Sequence, residues 1–317
     1  GANKSGFYLN EGPKIAGGVH LIELPFPPHG LLSPKARILS GSEQFAETTN
    51  WGTHKYETGV VWIVAGSNGL TGAARLAAQS AWAGGAGAVF LITPQGLSVE
   101  FSDLDQIIKR PVGEAHNRNF KSVHVSEVSD MIKERPGTVL LGPGLGRAPE
   151  TVDFVATLLL QLKQQVVIDA DALWALSQQW VEKPTKASWI LTPHPGELKQ
   201  LGQQWSGNSI PDIADDAQRL SYIQSVADEH KLTILSKGKP TISTYPDQTP
   251  LITSYETRLF ARAGFGDVLS GAIATHWSRG SSVTAAVAQA LVEGWQRADQ
   301  VYIQGRSPQP LDLCSDL

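Results

Sequence analysis

The sequence predicts an α/β fold: a mainly parallel central sheet with helices on both faces. Three observations carry that expectation. From residue 60 onward, short runs of β-branched residues alternate with stretches of helical periodicity. The runs are apolar throughout instead of alternating with polar residues, as in strands buried on both faces. Glycine- or proline-rich turns stand between strands and the helices after them, where parallel sheets bind ligands.

The elements follow in order. Residues 1–50 hold Pro13, Pro25, Pro27, Pro28 and Pro34 among many glycines, and read as an N-terminal arm or linker, with one strand candidate at Val19–Leu24. Val60–Val64 is the first buried strand, followed by a glycine-rich turn and an Ala-rich helix over 72–83. Further strands are expected at Ala88–Thr93, Thr138–Leu141, Val166–Asp169, Ser188–Thr192 and Leu232–Ser236. Helical patterns occupy about 150–163, 171–180, 196–201, 212–230, 266–279 and 282–303. No fixed-period repeat is present. The organisation expected is an arm over 1–50, one domain over 51–305 and a tail over 306–317.

Composition excludes several classes. Hydrophobic residues make up 41% and charged residues 18% of the 317, which rules out a disordered chain. A formal net charge of −4 is too balanced for a dedicated nucleic-acid binder. No run reaches the ~18 apolar residues of a membrane span. The single Cys314 cannot form an intrachain disulfide, so a reducing, cytoplasmic setting is expected. The chain opens with Gly1 and its one methionine is Met131, so a piece of a longer protein is expected.

Five motifs fall at strand ends. Ala65–Ala74 follows the first strand and opens a helix; its glycines allow close backbone approach to an anion, or simply make a βα turn. It has neither the dinucleotide fingerprint nor the phosphate-loop Lys-Ser/Thr. Gly142-Pro143-Gly144-Leu145-Gly146 is a second such turn, suited to a phosphate or ribose contact. In Asp169-Ala170-Asp171-Ala172-Leu173, Asp171 is expected as the helix N-cap, which leaves Asp169 to bind substrate or a magnesium ion through water. In Thr192–Glu197 two prolines fix the backbone around His194, favouring a ligand contact over a structural role; His194 and Glu197 could also hold a metal, but no other histidine lies at ligand spacing. In Ala263–Gly271, glycines precede Asp267 at the start of an apolar helix. N–H groups there form an anion hole, and an Asp facing it can take a proton from an attacking hydroxyl; the plainer role is a charge complementing the helix dipole.

With these motifs in this order, the chain resembles the NAD(P)H-hydrate dehydratase family, which has a ribokinase-like fold. The resemblance spans about residues 51–305 and includes Thr53-His54-Lys55 and Lys237-Gly238. It implies a lyase that uses ADP or ATP, with Mg2+, to restore NADH or NADPH from the hydrated form. Carried over, Ala73, Gly144, His194 and Asp267 would contact the hydrated dinucleotide, with Asp267 as general base. Lys237, Gly238, Lys239, Pro240, Thr241 and Gly266 would bind the adenine nucleotide, and no residue is assigned to a metal. A homo-oligomer and an epimerase domain, in the same chain or as a partner, are implied as well.

The chain departs from the family pattern at Phe265 (usually Thr or Ser), Trp174 (usually Asn), Tyr56 (usually Gly) and across Tyr255–Phe260. These departures keep two alternatives in view: a small-molecule kinase of the same fold, and a nucleotide-binding relative without turnover. The Pro-His-Pro-Gly-Glu run argues against the first, and Asp267 and His194 against the second.

Overall fold

The computed structural model describes residues 4–20, 34–45, 54–207, 209–255 and 258–314. Its ten strands are β1 (Arg37–Leu39), β2 (Val60–Val64), β3 (Ala88–Pro94), β4 (Ile108–Val112), β5 (Thr138–Leu141), β6 (Gln165–Ile168), β7 (Ser188–Leu191), β8 (Thr233–Ser236), β9 (Ile242–Tyr245) and β10 (Gln248–Thr253). They form one sheet in the order β1-β10-β9-β8-β7-β6-β5-β2-β3-β4. All neighbours pair in parallel except at β9, which runs antiparallel to both β8 and β10.

The apolar strands are buried on both faces because helices cover both. Val60, Trp62 and Val64 face one core layer, where Trp62 stacks on Phe90 with ring centroids 4.2 Å apart. That layer is closed by α3 (Val125–Lys133), α4 (Pro149–Gln161), α5 (Asp171–Gln178), α6 (Pro195–Ser206) and α7 (Asp216–His230). Val61 and Ile63 face the other layer, closed by α2 (Thr71–Ala83), α8 (Phe265–Ser278) and α9 (Val283–Ile303). Small residues let α8 lie close on α2: Ser80 Oγ donates to the Val268 carbonyl at 2.7 Å.

Several elements were not legible in the sequence. β4 contains Lys109, Arg110 and Pro111, residues that suit a sheet edge and hide a strand from an apolar-run search. β9 and β10 form a hairpin rich in Ser and Thr, turning at Pro246-Asp247 with Asp247 at φ +56°. α3 and the short helix α1 (Gly12–Ala16) were missed too. Within the arm the strand is β1, paired with β10; Val19 and His20 carry no strand, and residues 21–24 of that candidate lie outside the described residues.

Candidate active site

The strand order reverses at β2, whose neighbours are β3 on one side and β5 on the other. In open parallel sheets the crevice at such a point, beyond the carboxyl ends, is where ligands bind. The two glycine-rich turns meet there: Gly66 N–H donates to the Pro143 carbonyl at 2.9 Å. Gly144 sits at φ +63°, and a side chain on it would run into the Leu70 carbonyl and come 3.3 Å from Ala73 Cβ. Ala73 and Gly144 are therefore neighbours across the switch point.

The next turn corrects one expectation. Asp171 is not the N-cap of α5; Ala170 is, at φ +49°, and Asp171 is the first helical residue. Its carboxylate reaches back across the crevice, accepting from Gly146 N–H at 2.9 Å and Arg147 Nε at 3.0 Å. A charged donor across the loop is a stronger partner than the helix's own N–H groups. Arg147 also lies over the Trp174 ring, 5.6 Å from its centroid, so the residue that replaces the family's Asn supports this corner.

Beside it stands a wall of charge. Asp169, fully buried at the end of β6, accepts from Lys237 Nζ at 2.8 Å. Lys237 follows β8 and is fixed by its own N–H, which donates to the Pro193 carbonyl at 2.8 Å. Burial weakens the ammonium, but Asp169, Glu197 and Asp267 around it keep its pKa above the usual value. His194 caps α6: Nδ1 accepts from Gly196 N–H at 3.0 Å and Glu197 N–H at 3.3 Å, and Glu197 returns the bond to His194 N–H at 2.8 Å. That assigns the ring proton to Nε2, and burial plus nearby Lys237 push the pKa below the usual histidine value. Glu197 is buried and pushed up to about 7, chiefly by desolvation. Its role was missed in the sequence, although a Glu three residues after a capping position was the signal.

The N-terminus of α8 completes the wall. Gly264 supplies the left-handed turn at φ +97°, and the helix's first bond runs from Val268 N–H to the Gly264 carbonyl. The N–H groups of Phe265, Gly266 and Asp267 thus precede the hydrogen-bonded ladder and are suited to an anion. A Cβ placed on Gly266 would lie 3.4 Å from Lys237 Nζ and 4.0 Å from Asp169 Oδ2. Asp267 is pushed up to about 7, first by desolvation and then by Asp169, with Lys237 opposing. Two carboxylic groups close to neutrality, around one ammonium, form a proton-handling cluster.

A cavity of about 370 Å³ adjoins the other side of Gly266. Of the residues expected to bind nucleotide, Lys237, Gly238, Lys239, Thr241 and Gly266 line it; Pro240 does not, and turns its carbonyl to Arg219 instead. The remaining wall is largely apolar and includes Phe265, Leu269, Ala272 and Leu291. Ala73, Gly144, His194 and Asp267 lie outside that lining. The ring of Phe265 is buried, edge-on to Phe260 at 5.4 Å and against Val268, Ala298 and Leu313. Tyr56 also has a local partner, Arg135, 3.9 Å above its ring. His54 and Lys55 are exposed in the approach to β2, at the opposite end of the strands from the site, and Thr53, Glu256 and Thr257 lie outside the described residues. Among the described residues, no three His, Cys, Asp or Glu side chains form a metal-binding group.

The model of the NAD(P)H-hydrate dehydratase family matches residues 61–306. The chain belongs to that family. Among curated relatives, the bifunctional NAD(P)H-hydrate repair enzyme of Moorella thermoacetica is 36% identical over 229 residues, covering 70% of this chain and 41% of that protein. The Salinibacter ruber counterpart is 29% identical, covering 94% of this chain and 56% of its own length. This dehydratase-family chain therefore spans about half the length of the curated relatives it matches. Among solved structures, a ribokinase-like superfamily protein of Enterococcus faecalis superposes with a TM-score of 0.72 at 20% identity, covering 90% and 95% of the two chains. The ADP/ATP-dependent NAD(P)H-hydrate dehydratase of Bacillus subtilis, co-crystallised with ATP and Mg2+, gives 0.70 at 22%, covering 89% and 96%. The fold is ribokinase-like.

Proposed function

We propose that this chain dehydrates hydrated NADH or NADPH at the expense of ADP or ATP. The observation that carries the reading is Asp267: a carboxyl group poised near neutrality, at a helix N-terminus, beside the Lys237–Asp169 pair and next to a cavity of nucleotide size.

The chemistry follows from that placement. The hydrated dinucleotide lies over Ala73, Gly144 and His194, and the nucleotide's terminal phosphoryl group meets Gly266 and Lys237. Asp267 removes the proton of the ring hydroxyl as its oxygen forms a bond to the terminal phosphorus. The bond from that phosphorus to the bridging oxygen breaks, so ADP leaves as AMP or ATP as ADP. N–H groups of 265–267 and the Lys237 ammonium hold the charge that develops. The ring-nitrogen electron pair then expels phosphate, and loss of the adjacent C–H proton restores the dihydronicotinamide. Mg2+ would enter with the nucleotide phosphates and screen their charge.

In the wider reading the chain works with an epimerase domain, in keeping with bifunctional relatives about twice its length, and as a cytoplasmic homo-oligomer. No helix among the described residues is long and apolar enough to cross a membrane. Incubation with hydrated NADH and ADP or ATP tests the function: recovery of nicotinamide absorbance supports it. Accumulation of a phosphorylated dinucleotide would mean a kinase, and nucleotide binding without product a non-catalytic relative.

A further inference from the structure

The segment that lines the cavity from Lys237 to Thr241 is braced from behind. Arg219, on α7, is 3% exposed. Its Nη2 donates to the Pro240 carbonyl at 2.9 Å and to Asp216 Oδ1 at 2.7 Å, and its Nη1 donates to Ser236 Oγ at 3.4 Å. A Cβ on Gly238 would come 2.8 Å from the same Nη1. The guanidinium thus rests against this segment at three successive alternate residues, 236, 238 and 240. A planar, always-charged group with its donors in a fixed fork sets backbone position in a way a lysine cannot.

The brace continues outward to the arm. Asp216 Oδ2 accepts from Asn10 N–H at 2.6 Å, and Asp216 N–H donates to Asn10 Oδ1 at 2.7 Å. Asn10 occupies the left-handed region at φ +54°, which Asn tolerates, and its neighbour Leu9 is buried in the sheet's core layer. One unbroken chain of bonds therefore runs from the N-terminal arm through Asp216 and Arg219 to the Pro240 carbonyl. Removing Arg219 leaves the buried Asp216 carboxylate short of a partner, and removing the Asn10 side chain leaves the Asp216 N–H without its acceptor.

We propose that Arg219 is a positioning residue for nucleotide binding, and that Asn10 couples docking of the N-terminal arm to nucleotide affinity. The inference deepens the nucleotide reading given above and rests on it. It concerns the adenine nucleotide, because the guanidinium rests on the segment 237–241 that lines the cavity.

The test uses the full chain and four proteins: wild type, Arg219→Met, Arg219→Lys and Asn10→Ala. Arg219→Met should raise the KM for ADP or ATP about tenfold or more, with Arg219→Lys in between and Asn10→Ala roughly two- to fourfold. KM for hydrated NADH should stay at the wild-type value. Amide hydrogen exchange at 237–241 should quicken in the same order, with the turn at 65–70 unchanged. Variants that melt earlier but keep the wild-type nucleotide KM and exchange at 237–241 would overturn the proposal, as would parallel rises in both KM values. Asn10→Ala keeps the Arg219–Asp216 pair and the Asn10 N–H bond to Asp216 and removes only the Oδ1 acceptor, so a wild-type nucleotide KM and wild-type exchange at 237–241 in this variant overturn the coupling of the arm even if both Arg219 variants fail to fold. A wild type without nucleotide-dependent turnover would sink the function proposed above; exchange at 237–241 alone would then support or refute the brace.

Discussion

The two sides of the α8 N-terminus are built on different physics. On one side Lys237, Glu197 and Asp267 crowd around Asp169, and burial pushes two of the carboxyl groups, those of Glu197 and Asp267, up to about 7. On the other, a largely apolar cavity of about 370 Å³ runs between α8 and α9, and the Glu293 carboxylate on its wall is held by His276 Nε2 at 3.0 Å and by Gln289 Nε2 at 2.8 Å. Lys237 and Gly266 belong to both sides. The comparison teaches that substitutions on the charged side should change rate and its pH dependence, whereas those on the cavity side should change nucleotide affinity.

The largest effect that sharpens this division is Asp267→Asn. Turnover should fall by about 10²–10⁴-fold, the usual contribution of a general base. Nucleotide affinity should hold, because the first-turn N–H groups remain; calorimetric titration with ADP checks that half. Next is Gly266→Val, which pushes side-chain carbon into the space between Lys237 Nζ and the helix end. The KM for ADP or ATP should rise about tenfold or more, with the fold retained by circular dichroism. A Gly266 variant that lost kcat alone would break the division.

Which of these groups the sequence revealed depended on how local the signal was. Asp267, His194 and Asp169 stand at strand-to-helix turns, where apolar runs stop and glycine or proline begins, so they were visible. β5 is Thr138–Leu141 as expected, because four apolar or β-branched residues between turns have one reading. Arg219 and Asp216 look in sequence like any i,i+3 pair on a solvated helix; only the packing of α7 against β9 and the Pro240 loop buries them. Asp171 was misassigned because its best partners, Gly146 and Arg147, come from another loop. The β9–β10 hairpin escaped because β9 places Ser243 and Thr244, one on each of its two buried faces, where aliphatics would have shown an apolar run.

Smaller effects follow. Glu197→Gln keeps the capping geometry and removes a carboxyl group whose folded pKa is raised to about 7. The stability that wild type draws from holding that proton is fully present below the unfolded pKa of about 4 and is lost as pH rises through about 7. Glu197→Gln should therefore raise the melting temperature relative to wild type above about pH 7 and leave it little changed below about pH 4. Phe265→Thr should change the rate least. The first-turn N–H groups stay, so turnover should be unchanged or higher, while loss of a buried ring costs about 3 kcal/mol of stability by denaturant unfolding. A Phe265→Thr protein that alone turns over, beside an inactive wild type, would show that the ring closes the anion site.

The most direct test of the central claim is the pH dependence of kcat/KM for hydrated NADH, at saturating nucleotide, in the wild-type protein. With Asp267 as base, its raised pKa predicts that the rate falls on the acid side with a midpoint of about 7. A profile that stays flat down to the ordinary carboxylate range, about pH 4, would contradict the account. So would the absence of any recovery of nicotinamide absorbance across the whole range.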